Sequence, residues 1–155
     1  MATKDLLTLE NPVFTSYAFY SSFLLLKLFA VVFLIVFYRI TKKIFPSEED
    51  YHDDPKGEKK MIERSHPGLD RVRRMHQNDL ENIPIFILLG MLYVLSDPAY
   101  STAIIVFRIF GAARFIHSVA YFFALTSPRG MSWMVGMICN IFLAVQVLRA
   151  SKFLF

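Results

Sequence analysis

Apolar residues in this chain fall into four blocks, each long enough to cross a bilayer as a helix. The first runs from about Pro12 to Thr41. Asn11 before Pro12 supplies a helix N-cap and a first-turn proline, and Lys42 and Lys43 suit the negative end of the helix dipole. About 30 helical residues measure about 45 Å, more than the hydrocarbon thickness of about 30 Å, so the last turns protrude or the helix tilts. Residues 42–69 form a polar loop punctuated by Pro46, Pro55, Gly57, Pro67 and Gly68. A second helix is expected over about 70–95, capped by Asp70. Its early turns are polar, through Arg71, Arg73, Arg74, His76, Asn78, Asp79 and Glu81, and its last turns are wholly apolar. Ser96-Asp97-Pro98 reads as a short turn into a third helix over about 101–125. Ser127-Pro128-Arg129-Gly130 reads as a turn into a fourth over about 130–152. No internal repeat or low-complexity segment is visible. The pattern predicts an all-α membrane protein, one four-transmembrane-helix bundle occupying residues 1–155.

Short turns between helices two, three and four imply antiparallel neighbours. An even helix number puts both termini on one side. The basic residues of the long loop place it in the cytoplasm, and Arg129 at the same face. The first twelve residues lack the features of a cleaved signal peptide, so the first apolar segment is expected to stay as an anchor. Composition agrees: 55% of the 155 residues are hydrophobic and 16 are phenylalanine, more than a water-soluble interior of this size can hide. The net charge is +4, and most of the cationic residues lie between Arg39 and Arg74, mixed with most of the acidic ones, which reads as an aqueous segment and not a nucleic-acid arm. The one cysteine, Cys139, permits neither an internal disulfide nor a cysteine-based metal cluster, and no metal is expected.

Candidate chemistry comes from charges inside apolar segments. Lys27, Arg108 and Arg114 lie there, and Glu81 lies in the polar third of helix two. Each central charge costs roughly 2.5–3.5 kcal/mol on translocon scales, so such residues normally face the bundle interior or an aqueous cavity. Arg74, Asn78 and Glu81 stand at i, i+4 and i+7, one stripe of helix two. Arg114, Ser118 and Tyr121 form a similar stripe on helix three, with His117 beside it. Structural readings stay open for each. Lys27 and Arg108 can snorkel to the interface, Glu81 can pair with an arginine to tie helices, His76 and His117 can be packing residues, and Tyr121 can be an interface anchor. As a set they suggest one shared polar cavity. Several cations and a carboxylate near the cytoplasmic face suit a small, mainly anionic zwitterion. Glutathione fits, with arginines on its carboxylates and Glu81 on its ammonium, although a phospholipid headgroup or a nucleotide would also attract arginines.

The run Arg71-Val72-Arg73-Arg74-Met75-His76-Gln77-Asn78-Asp79-Leu80-Glu81-Asn82 is more specific. It resembles the signature of the MAPEG family, the membrane-associated proteins of eicosanoid and glutathione metabolism, and is most similar to the glutathione-transferase branch. Phe37-Tyr38-Arg39-Ile40-Thr41-Lys42-Lys43 resembles the end of that family's first helix. Phe107-Arg108 and Ala113-Arg114-Phe115-Ile116-His117-Ser118-Val119-Ala120-Tyr121 resemble its third. The resemblance covers nearly the whole chain. It implies a homotrimer with glutathione bound between subunits, in the endoplasmic reticulum membrane and secondarily the mitochondrial outer membrane, with the site facing the cytoplasm. By position, Arg39, Arg74, Asn78, Glu81, His117 and Tyr121 match glutathione-contacting residues. Lys27 lies near the site, and His76 and Arg114 complete the binding set. Arg129 matches the arginine beside the thiol and is the expected catalytic residue.

The implied activity is conjugation of glutathione thiolate to lipophilic electrophiles, with glutathione-dependent reduction of lipid hydroperoxides. The alternatives are a prostaglandin E synthase-like or leukotriene C synthase-like enzyme, or a non-catalytic lipid-binding scaffold of the same family. Three departures bear on this. Pro84 follows Glu81 by three residues, where the family usually has four. Gly130 and Trp133 stand where the prostaglandin E synthase branch has a serine and a tyrosine, which weakens that reading. Tyr51 stands where vertebrate transferases carry a loop cysteine, so activation by thiol modification there is not available.

Overall fold

The computed structural model describes residues 6–44, 47 and 66–151. The greater part of the polar loop, with Tyr51, lies outside the described residues. The described residues form four helices: α1 (Pro12–Lys42), α2 (Pro67–Leu95), α3 (Tyr100–Phe122) and α4 (Thr126–Ala150). All four are long and apolar enough to cross a membrane.

Helix ends follow local chemistry. Asn11 caps α1 by accepting from the amides of Val13 at 2.9 Å and Phe14 at 3.4 Å. Lys43 closes it in the left-handed region, its amide and that of Ile44 donating to the carbonyls of Ile40 and Arg39. Two starts differ from the sequence expectation. α2 begins at Pro67, not after Asp70, because His66 Nδ1 accepts from the amide of Gly68 at 3.1 Å and Pro67 sits in the first turn. Asp70 lies inside that first turn. α4 begins at Thr126, so Ser127-Pro128-Arg129-Gly130 is helix and not turn. Pro128 is tolerated because its missing N–H falls among the first amides, which have no intrahelical acceptor. The α3–α4 connection shrinks to Phe123–Leu125, with Ala124 at φ 59°. Ser96-Asp97-Pro98 is the turn the sequence predicts, with Ser96 Oγ donating to the Tyr93 carbonyl at 2.6 Å. α2 continues through Pro84, which lies on its exposed face.

The core joins all four helices through Tyr17, Leu24, Ile83, Phe86, Phe107, Phe110 and Leu143. Phe86 and Phe110 stack with ring centres 4.0 Å apart. Gly90 admits the Tyr17 ring, whose hydroxyl donates to the Ile87 carbonyl at 2.9 Å, so α1 and α2 touch closely there. α1 is peripheral: 11% of its apolar span is buried inside the chain, against 44% for α3. Its outer surface carries Phe19, Leu26, Phe29, Phe33 and Phe37, a face suited to lipid or a partner subunit and not to water. Cys139 is buried in the core, as its apolar surroundings suggested.

Candidate functional site

Among the described residues the interior holds one charged centre, and its middle is a residue the sequence reading did not single out. Asp79 on α2 is fully buried. Its Oδ2 receives Lys27 Nζ of α1 at 2.6 Å, and its Oδ1 receives Arg114 Nη2 of α3 at 2.5 Å. Ser118 Oγ stands 3.5 Å from Oδ2. Two cations share one carboxylate, so the cluster carries one net positive charge inside the bundle. A charge in this setting is sustained only by close, hydrogen-bonded partners, and Asp79 provides them for both cations.

From Arg114 a row of side chains leads towards the end of the bundle where α3 turns into α4. Arg114 Nη2 also donates to Asn78 Oδ1 at 2.8 Å and meets His117 Nδ1 at 3.3 Å. The His117 ring lies 5.3 Å from that of Tyr121, edge to face. The guanidinium carbon of Arg129 lies 4.8 Å from the centre of the Tyr121 ring, a cation–π contact. Local sequence explains the row. Arg114, His117 and Tyr121 follow at i, i+3 and i+7, one face of α3. Arg129 falls in the first turn of α4, four residues after the tight connection, which brings it back over Tyr121. Gly136 of α4 packs beside the Arg114 stem, where a Cβ would lie at an ordinary contact distance of 3.6 Å from Arg114 Cδ.

Six of the predicted residues therefore meet in one network: Lys27, Asn78, Arg114, His117, Tyr121 and Arg129. Four lie outside it. Arg74 and Glu81 lie on the exposed face of α2. Arg74 lines an open cleft of about 330 Å³ with Asp70, Arg73 and Gln77. Glu81 accepts from Gln77 Nε2 at 3.4 Å and has no ionic partner among the described residues, so the helix-tying pair considered from sequence is not formed among them. Arg39 is half-buried in the last turn of α1. His76 is half-buried, and its Nδ1 is buried without a hydrogen-bond partner. Asn78 stands at the rim where the exposed stripe and the buried cluster adjoin. Arg108 is exposed on α3 among Ile105 and Ile109, apart from the network.

Asp79 had a signal in the sequence. It shares a helix face with Met75, Asn82 and Phe86, all buried, so it is a carboxylate on an otherwise inward face. Two intramembrane cations also required a counter-charge, and from sequence the only acidic residue considered for such a pairing was Glu81, as an alternative to binding the glutathione ammonium. Asn82 and Asn140 were missed as well. Asn82 Nδ2 donates to the Asn78 carbonyl at 2.8 Å and Asn140 Nδ2 to the Asn82 carbonyl at 3.3 Å, extending the polar seam to α4. Among the described residues, no three His, Cys, Asp or Glu side chains are grouped to hold a metal ion.

Fold and centre together define a class: a small membrane-embedded four-helix protein with a charged network between its helices. Its sequence places it more closely, since residues 17–149 match the MAPEG family model, and the chain belongs to that family. It is 40% identical over 148 residues to microsomal glutathione S-transferase 1 of Bos taurus, covering 94% of this chain and 96% of that protein. The human protein of the same name is 39% identical over 148 residues, with the same coverage. Human prostaglandin E synthase is 30% identical over 145 residues, covering 92% of each chain.

Proposed function

We propose that this protein is a membrane glutathione transferase that attaches the glutathione thiolate to lipophilic electrophiles and also reduces lipid hydroperoxides. The observation that carries this reading is Arg129. It is half-buried, held over the Tyr121 ring, and has no carboxylate partner among the described residues. A cation fixed in this way is suited to an anion that arrives from outside the chain. A free thiol ionises near pH 8.5, and only its thiolate is a strong nucleophile. Lowering that value by two pH units requires about 2.7 kcal/mol in favour of the anion. One close guanidinium in a partly dry site is of the right strength.

In conjugation the thiolate forms a carbon–sulfur bond and the electrophile loses its leaving group. In peroxide reduction two glutathione molecules become a disulfide, and the hydroperoxide becomes an alcohol and water. Lipophilic partners reach the site from the bilayer, where they concentrate. Arg74 and Arg39 are assigned to the glutathione carboxylates, Glu81 to its ammonium, and Asn78, His117 and Tyr121 to the remainder of the tripeptide, with Lys27, His76 and Arg114 around them.

The exposed stripe of Arg74, Gln77 and Glu81 on a membrane helix supports a neighbouring subunit that covers it, with the site at the subunit boundary, and the family resemblance supports a homotrimer as that assembly. The similarity to microsomal transferases supports residence in the endoplasmic reticulum membrane, with the site facing the cytoplasm. The test is a titration of purified protein with glutathione, following thiolate absorbance. A thiolate signal at pH 7 well above that of glutathione in buffer is expected, with conjugation of an aromatic halide exceeding isomerisation of a prostaglandin endoperoxide. A sulfhydryl as protonated as in buffer would overturn the reading.

A further inference from the structure

His117 offers Nδ1 to Arg114 Nη2 at 3.3 Å, and its side chain is only 2% exposed. A guanidinium carries donors and no acceptor. Nη2 has two N–H groups for three neighbours, Asp79, Asn78 and His117, so its contact with Nδ1 is a shared and longer one; Nδ1 still presents its lone pair there, because a proton on it would face a group that cannot accept. The ring's proton then sits on Nε2, which bonds none of the described residues. His117 is thus a neutral ring with one committed acceptor and one unused donor, next to Tyr121 and Arg129.

What fixes this arrangement is not on His117 itself. Arg114 is fully buried, and the only carboxylate paired with it among the described residues is Asp79. That carboxylate is braced from its other oxygen by Lys27. Arg114 is therefore aimed by a carboxylate whose hydrogen bonds among the described residues go to Lys27, Arg114 and Ser118, and not to His117, Tyr121 or Arg129. We propose that Asp79 is a positioning residue of the site, which through Arg114 locks His117 as the Nε2–H tautomer and so sets the donor that His117 presents to a bound anion. The activity part of this inference rests on the glutathione reading above, while the tautomer part stands on the chain alone. At metal centres, hydrogen-bonded partners one step removed from the ligands change affinity or activity by about 10–100-fold when altered, and an effect of the same order is expected here.

The experiment uses full-length protein with 15N-labelled histidine, in nanodiscs without glutathione. Loss of one signal set in His117→Gln assigns the His117 ring nitrogens. The expected wild-type result is a protonated Nε2 and an unprotonated Nδ1. In Asp79→Asn the two tautomers should mix, and kcat/KM for glutathione should fall about 10–100-fold. Arg114→Lys covers the case in which Asp79→Asn does not fold. A lysine keeps the charge opposite Asp79 but has a shorter reach and lacks the planar, rigid guanidinium that Asp79 aims at His117, so the tautomer should again mix. Wild-type protein with its proton on Nδ1 would overturn the proposal. So would a folded Asp79→Asn or Arg114→Lys variant with the wild-type tautomer and kcat/KM. If the wild type shows Nε2–H but binds no glutathione, the proposed function falls while the Asp79–Arg114–His117 lock stands.

Discussion

Lys27 of α1 and Asp79 of α2 are 52 residues apart in the chain, yet Nζ lies 2.6 Å from Oδ2. This contact joins the peripheral helix to the interior at the level of the bundle's only charged centre among the described residues. Its energetics are unequal from the two ends. Removing Asp79 leaves two buried cations without a counter-charge, which costs roughly 3–5 kcal/mol. Removing Lys27 leaves Asp79 paired with Arg114, a neutral pair, and Met in place of Lys27 fills most of the volume. Asp79→Ala should therefore destabilise the protein far more than Lys27→Met, which should cost below about 2 kcal/mol. Denaturant unfolding in mixed micelles checks the order. Equal losses would show that Lys27, not Arg114, is the principal partner of Asp79.

Arg129 and Tyr121 make a second prediction. If the ring of Tyr121 holds Arg129, Tyr121→Phe should keep kcat within a few-fold, because phenylalanine retains most of the cation–π attraction of roughly 0.5–2 kcal/mol. Any loss should fall on KM, where the hydroxyl would contribute by hydrogen bonding. Tyr121→Leu removes the ring face and should lower kcat by about tenfold. Arg129→Ala should lower kcat by about 100-fold, corresponding to about 2.7 kcal/mol of thiolate stabilisation, with a smaller effect on glutathione affinity. Steady-state conjugation kinetics decide this. Wild-type kcat in Arg129→Ala would remove that residue from the mechanism.

The four-helix bundle was legible because a membrane imposes long apolar blocks, and the Asn11–Pro12 and Ser96–Asp97–Pro98 signals marked helix ends by local chemistry alone. The two misplaced starts have one cause. Pro67 and Pro128 were read as loop punctuation, but each stands in a first helical turn, where its missing N–H costs nothing. The site was legible in part. Arg114, His117 and Tyr121 share a face of α3 by spacing, which a sequence states directly. The partner of Lys27 and Arg114 was not legible in the same way. Asp79 and Glu81 are two residues apart on α2, about 200° around the helix, and choosing between them required knowing which face turns inward. The surrounding residues held that information, since Met75, Asn82 and Phe86 accompany Asp79. Arg74 and Glu81 point outward from the single chain, so their contribution depends on what covers that face.

Glu81 separates a binding role from a structural one. It is exposed, and its one hydrogen-bond partner is Gln77 at 3.4 Å. No ion pair among the described residues depends on its charge. Glu81→Gln should therefore leave the unfolding midpoint within about 0.5 kcal/mol of wild type, as for other surface changes. Glutathione affinity should fall by about tenfold, because a hydrogen bond to a charged group contributes roughly 1.5–3 kcal/mol. Calorimetric titration alongside unfolding measures both. Unchanged affinity would detach Glu81 from the tripeptide, and a large stability loss would point to a contact across a subunit boundary instead.

Gly90 tests the opposite end of the bundle from Arg129. A Cβ there would lie 2.9 Å and 3.0 Å from two carbons of the Tyr17 ring. That ring cannot turn aside freely, because its hydroxyl is tied to the Ile87 carbonyl at 2.9 Å and its edge meets Phe107, with ring centres 6.1 Å apart. Gly90→Ala must push α1 away from α2 or break the Tyr17 bond, at a cost of about 1–3 kcal/mol typical of overpacking. Alanine's better helix propensity, about 1 kcal/mol over glycine, offsets only part of this. Gly136 is the control, since a Cβ there meets Arg114 and Phe110 at ordinary contact distances of 3.6 Å and beyond. Gly136→Ala should be neutral or slightly stabilising, although it adjoins the charged network. Unfolding midpoints of the two variants should therefore move apart, with kcat per folded molecule unchanged in Gly90→Ala. If Gly90→Ala proved as stable as Gly136→Ala, the close approach of α1 to α2 through Tyr17 would be wrong, and with it the path by which Lys27 reaches Asp79.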